Sequence, residues 1–430
     1  MTEREAVAHL LRRATFGPTA DEVDDAERVG VRATLDRLLA PTGPDRTPGL
    51  PDLGPDPYAG LTRSSTREQR QQANQRRRAQ VRALTWWWLD RMVTSTDQAG
   101  EKLLFFWHGH WATSERKVRS ATLMLRHLET LRRYGRGPLP PLVDAMVRDP
   151  ALILWLDGQR NTRKAPNENL ARELMELFTL GHGNGYTEDD VREGARALTG
   201  WTVDRRTGAV RFEPRRHDAG PKTILGQRAD FDAASYAGLL AGRPETARHV
   251  AGRLWFRYAG PDVPPPADLA GPDTVTTLRR ILTAPAFAQT RDTLVKQPVE
   301  WLVGAARQLG VRPSGLPEQE RRRLLAGLAA LDQVPLRPPS VGGWPAGTAW
   351  LTTASLQARL RTADALAGAA ARTVLATLTA APPAGRPDAL ARLLVVDRWS
   401  ERTRAALTPL TGEPRKLIAA GLVSPEYAVY

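Results

Sequence analysis

Three short segments hold the side chains from which this chain could build a reactive centre. His108 and His110 stand two apart in LLFFWHGHWATS. Asn169, Glu173 and Glu176 fall at i, i+4 and i+7 in PNENLARELMELFTLG, and His217, Asp218 and Lys222 lie within RRHDAGPKTILG. Two imidazoles with a carboxylate form the donor set of open sites for Fe, Mn or Zn. The chain has no cysteine, which removes thiolate ligands and disulfides. At about 3.6 residues per turn, Asn169, Glu173 and Glu176 share one helical stripe. Leu170, Leu174, Leu177 and Leu180 fill a neighbouring face that packs into a core. Carboxylates beside such a face lose hydration and need a counter-charge, a metal or a shared proton.

Each segment also has an ordinary explanation. Glu168, Arg172 and Glu176 are spaced for a salt-bridge ladder along one helix. On a helix, His108 and His110 would diverge by about 200° and could not share an ion. In an extended or helix-terminal stretch, which Gly109 permits, they point to one side. The alternative is a pair of packing or hydrogen-bonding histidines. His217 and Asp218 supply either a third imidazole and a general base, or a turn in which Asp218 bonds its own backbone. His9, His127 and His249 lie in helical patterns and read as structural, and His182 as a helix C-cap. No GxSxG elbow, P-loop or dinucleotide glycine motif occurs.

The elements that must position these residues are mainly helices. Helical patterning covers 5–13, 19–39, 66–94, 98–108, 116–134, 139–147, 150–155, 166–180 and 188–198. It returns at 231–240, 243–258, 273–283, 298–310, 316–331, 353–380 and 386–398, with one further helix near the C-terminus. Between them, 201–226 alternates around a Thr207-Gly208 turn, as a small hairpin and a strand do. The fold class expected is mainly α: one large helical domain over 1–430 with a small β excursion at 201–226. Pro/Gly-rich loops are expected at 41–62 and 335–350, and an Arg/Gln-rich helix at 63–82.

Composition narrows the function. A hydrophobic share of 41% over 430 residues is enough for a substantial core. The net charge of +14 would suggest a polyanion partner, yet only six of the 61 basic residues are lysine. That arginine excess, with abundant Ala, Gly and Pro, is the usage of a GC-rich genome. The 63–82 run has no interleaved aromatics, so a solvated helix face is expected there and nucleic acid is not an expected partner. The N-terminus has acidic residues and no long apolar stretch, and no apolar run approaches a membrane span, so a cytoplasmic chain is expected. In a chain where arginine replaces lysine almost everywhere, a surviving lysine points to a role arginine cannot fill. Lys102, Lys117, Lys164 and Lys222 all lie beside the motifs above.

The segments HLLRRATFGPT, EKLLFFWHGHWATS, PNENLARELMELFTLGHGNGYTEDDVREGARALTGW, HDAGPKTILG, KQPVEWLVGAARQLG and PPSVGGWPAGTAWL follow in that order. Together they resemble the bacterial family catalogued as domain of unknown function 1800. The resemblance carries no settled activity. By motif it marks His108, His110, Asn167, Glu168, Asn169, Arg172, Glu173, Glu176, Thr187, Glu188, His217, Asp218 and Lys222.

From the residues, the expectation is a metal-dependent enzyme, either hydrolase or oxidoreductase. His108, His110, His217 and Glu173 would hold Fe, Mn or Zn, and Glu176 or Asp218 would act as base or orient a ligand. Asn169 would hydrogen-bond substrate or a ligand oxygen, and Lys222 would neutralise an anionic substrate. The alternative is a non-catalytic interaction protein whose polar motifs are internal salt bridges and turns. Substrate and oligomeric state are left open.

Overall fold

In the computed structural model, residues 2–41, 47 and 49–430 are described. Part of the loop expected at 41–62 (42–46 and 48) lies outside them. The chain is mainly α, and its helices begin where short polar side chains can cap them. Thr2, Thr19, Thr66 and Thr187 each close a capping box ahead of the helices Glu3–Ala14, Ala20–Leu39, Arg67–Thr94 and Glu188–Ala197. The helix Gln98–His110 is buried on nearly every side, its polar residues included, and forms the centre of the molecule. Glu3–Ala14, Arg67–Thr94 and Ala121–Tyr134 pack around it. A large apolar cluster then runs from Leu10 to Tyr427, with a smaller one around Val7, Leu11 and Val23. Among the described residues, no helix is long and apolar enough to cross a membrane.

Two glycine contacts fix how distant motifs dock. A Cβ on Gly17 would lie 2.9 Å from the Gly304 Cα, so the FGP turn sits against the backbone of the helix Pro298–Gln308. Gly343, at φ +84°, brings the GGWP turn onto the Gly109 carbonyl, where any side chain would collide.

Several expected elements are subdivided. The 116–134 helix breaks into Glu115–Val118 and Ala121–Tyr134, because Arg119 adopts a left-handed conformation at φ 56°. The 353–380 helix divides into Thr353–Gly368 and Arg372–Ala380. The 166–180 helix is a short α-turn, Asn169–Glu173, followed by a π-turn, Leu174–Phe178. The β excursion forms two antiparallel hairpins, Trp201–Asp204 with Ala209–Phe212 and Lys222–Ile224 with Gln227–Ala229. The second hairpin runs past the expected boundary at 226. In place of one C-terminal helix there are three: Glu401–Leu407, Pro414–Leu422 and Pro425–Ala428.

Candidate functional site

The central helix stays helical through His110, so His108 and His110 leave it in different directions. His108 is completely buried, and among the described residues neither ring nitrogen has a partner. Its ring meets the edges of Trp88 and Trp344, at centroid distances of 5.2 and 5.4 Å. His127 lies 6.0 Å away, with Nδ1 on Asp149 at 2.9 Å and Nε2 unpartnered. Burial holds His108 far below its ordinary pKa, which keeps it neutral.

His110 has a different task. Its Nε2 donates to the Phe178 carbonyl at 3.0 Å, and His249 Nε2 donates to the Leu177 carbonyl at 3.0 Å. Both acceptors belong to the π-turn, whose wide register needs outside donors for its last carbonyls. Burial pushes His110 down to about 3, so it is a neutral ring that can donate from Nε2.

The acidic segment is similarly divided. Arg172 joins Glu168 at 3.0 Å and Glu188 at 2.7 Å, which is the ladder spacing extended to the next helix. Glu176 accepts from His182 Nδ1 at 2.9 Å. Glu173 is half-buried, and its carboxyl is raised by burial and then by the charge of Glu176. Asn169 is exposed and starts the α-turn, its N–H donating to the Asn167 side chain at 3.1 Å.

The third segment braces itself. His217 Nδ1 lies 3.1 Å from the Thr199 hydroxyl and 3.0 Å from its carbonyl, with Phe212 against the ring. Asp218 accepts both prongs of Arg196, at 2.7 and 3.1 Å, and these bonds lower its pKa. Lys222 is buried and donates to the carbonyls of Asp218 at 2.7 Å and Gly220 at 2.9 Å, closing the loop on itself. The expected ligands His108, His110, Glu173 and His217 therefore stand in separate surroundings. Among the described residues, no group of three or more His, Cys, Asp or Glu is arranged to hold a metal ion.

A cluster not expected from the motifs gathers around Lys102 of the central helix. Glu300, wholly buried, accepts from Arg257 at 2.6 and 3.0 Å and pairs with Lys102 at 3.0 Å. Lys102 also donates to the Thr15 carbonyl at 2.8 Å. Burial alone would raise the Glu300 carboxyl, but Arg257 and Lys102 outweigh it and hold it at about 2. Burial lowers Lys102 to about 7. Arg12, Arg13 and Arg359 are buried around the same group, with Arg12 bidentate on Asp397 at 2.9 Å.

Lys296 completes the cluster and differs from the rest. Its Nζ lies 3.7 Å from the Tyr427 ring centroid and 5.1 Å from that of Tyr430. It makes no ion pair among the described residues. Burial, then the charges of Arg12 and Arg359, push its pKa far below the ordinary lysine value. Its backbone is held on both sides: the N–H donates to Ala428 at 2.9 Å and the carbonyl accepts from Arg359 at 3.0 Å.

The chain alternates here, as an extended segment does. Val295 and Gln297 line a small cavity of about 60 Å³ beside His110, Arg257 and Trp344. Lys296 lines a cleft of about 1640 Å³ on the other side, walled by Arg12, Asp397, Arg402 and Glu426. The signal that could have found this site is lysine scarcity. Lys102, Lys222 and Lys296 are buried, while Lys117, Lys164 and Lys416 are exposed. Lys296 stands in the KQPVEW segment, which carries no imidazole and so offers no metal-ligand pattern.

No curated protein and no solved structure matches this chain. The family model described as "Protein of unknown function (DUF1800)" matches residues 9–429, and the segments that meet around the central helix (FWHGHW, KQPVEW and GGWPAG) all fall within that span; the chain belongs to that family.

Proposed function

We propose that this protein is an enzyme whose reactive group is the amine of Lys296, a buried residue that lines the wide cleft. The observation that carries this reading is a buried lysine without a carboxylate partner, facing a cavity and backed by Arg12 and Arg359. An amine that is desolvated and set among cations gives up its proton more readily than an exposed lysine, and an uncharged amine is a nucleophile. The other buried lysines do not share this setting. Lys102 is committed to Glu300 and Lys222 to loop carbonyls.

The test uses the scarcity of lysine. A sub-stoichiometric amine-acylating reagent at neutral pH, followed by peptide mass mapping, is expected to modify Lys296 ahead of exposed Lys164 and Lys416. Modification that follows exposure alone would remove the reading.

A second reading, a non-catalytic interaction protein, has its own support. Arg172 with Glu168 and Glu188, and Arg196 with Asp218, are internal ion pairs that leave those motifs architectural. It predicts that acylating Lys296 changes no property of the protein beyond its mass.

A further inference from the structure

Independently of the amine reading, we infer that the small cavity beside His110 binds an oxyanion that keeps an O–H of its own, hydrogen phosphate being the tetrahedral member of that class. The cavity lies on the Val295 and Gln297 side of the extended segment, away from the cleft that Lys296 lines. Its volume of about 60 Å³ is several times the ~10–15 Å³ that one water needs, which gives room for a group of phosphate size. Phe256 and Trp344 in its wall bring no charge of their own.

The charged lining has one sign. Arg253 and Arg257 stand at i and i+4 on the helix Pro244–Tyr258, so both line the same space. Among the described residues, no Asp or Glu lines it. Arg257 is bonded to Glu300, and that one carboxylate also serves Lys102. Arg253, one turn earlier, is exposed and makes no ion pair or hydrogen bond among the described residues. No charged partner acts on it. An unengaged guanidinium fork beside a cavity without acids is suited to an oxyanion.

The neutral groups select among oxyanions. The Val299 N–H donates to Gln333 Oε1 at 2.9 Å, so Gln333 turns its NH2 group to Gln297 Oε1 at 2.7 Å. That fixes the Gln297 amide and leaves its own N–H groups as a second donor in the lining. His110 supplies the opposite character. A carbonyl cannot donate, so the bond to Phe178 requires the proton on Nε2. Burial, then the charge of Arg253, keeps the ring neutral, which leaves Nδ1 as an acceptor. Nδ1 makes no hydrogen bond among the described residues and is not sealed in the packing. Two donors and an acceptor match an anion that carries both O⁻ and O–H. Sulfate and simple carboxylates have no O–H near neutral pH, and a phosphate monoester loses its own above a second pKa of about 6. Hydrogen phosphate keeps one.

Calorimetric titration tests the site. Full-length protein, slightly above neutral pH and at matched ionic strength, is titrated with sodium phosphate, sodium sulfate and glycerol 1-phosphate. Phosphate is expected to bind more tightly than either of the others by on the order of tenfold, because only it satisfies the acceptor on His110. Arg253→Gln should weaken phosphate by about tenfold or more. Since Arg253 is exposed and unpaired among the described residues, that variant should keep the wild-type melting temperature. In His110→Phe the preference for phosphate over sulfate should vanish. Absence of phosphate binding would overturn the inference, as would an affinity unchanged in Arg253→Gln. Equal binding of phosphate and sulfate by the wild type would overturn it too, because the O–H would then play no part.

Discussion

A carboxylate buried between a lysine and an arginine governs the electrostatics of this interior. Removing the charge of Glu300 leaves Lys102 and Arg257 desolvated with no counter-charge. Glu300→Gln is therefore expected to destabilise the protein by about 3–5 kcal/mol, measured by urea unfolding at neutral pH. The pH dependence follows from the direction of the shift. The folded pKa of Glu300, about 2, lies below its ordinary value of 4.5. Its contribution is complete above pH 4.5 and is lost as pH falls toward 2. The stability difference between wild type and Glu300→Gln should shrink across that window. A difference that stayed constant from pH 6 to about 3 would show that the charge of Glu300 is not its source.

His108 poses a separate question at the same scale. Both of its nitrogens, and Nε2 of His127, are buried and unpartnered, which is costly unless water or a metal fills the gap. Elemental analysis of wild type beside His108→Ala addresses the divalent-metal expectation directly. Fe, Mn or Zn present in the first and lost in the second would make His108 a ligand. Unchanged metal content would make it a core histidine, and His108→Leu should then cost less than about 1 kcal/mol, as no direct hydrogen bond is lost.

At the scale of elements, the π-turn Leu174–Phe178 is held by donors from two other helices. His110→Phe keeps the aromatic packing and removes the bond to the Phe178 carbonyl. The expected cost is about 1–3 kcal/mol, with faster amide exchange confined to 174–181, read by hydrogen-exchange mass spectrometry. Exchange that rose evenly over the molecule would contradict this local role. Gly343→Ala is expected to be worse tolerated, because the new methyl meets the Gly109 carbonyl and the residue must keep φ +84°. These elements mark where patterning could be followed and where it failed. The stripe of Asn169, Glu173 and Glu176 was legible from spacing, but the change from α to π register was not. That change is decided by His110 and His249, which approach from distant positions in the chain. The geometry of the HxH pair stays open in the sequence for a related reason. The helix continues through Gly109 because the surrounding apolar residues bury it, and tertiary packing overrides the local preference of glycine.

At the scale of the whole molecule, contacts join segments far apart in the chain. Arg12 reaches Asp397, Arg13 donates to the Ala259 carbonyl, and Tyr427 donates to Gln308 at 2.8 Å. Lys102 ties the central helix to the carbonyl of Thr15. The protein should accordingly unfold in one cooperative transition, with fluorescence and circular dichroism curves that coincide. Two separated transitions would mean that the 353–430 helices form an independent unit.

Sequence by itself determined the mainly α class, most helix spans and family membership. These depend on short-range periodicity and on side chains that bond their own neighbours, and both are local in the chain. Tertiary structure alone decided which polar residues share a site. Glu300, Lys102, Arg257 and Lys296 come from three widely separated segments, and no spacing rule links them. Their meeting depends on helices docking at the Gly17–Gly304 and Gly109–Gly343 contacts. A buried charge takes its pKa and reactivity from what surrounds it in space, and chain order does not record that surrounding.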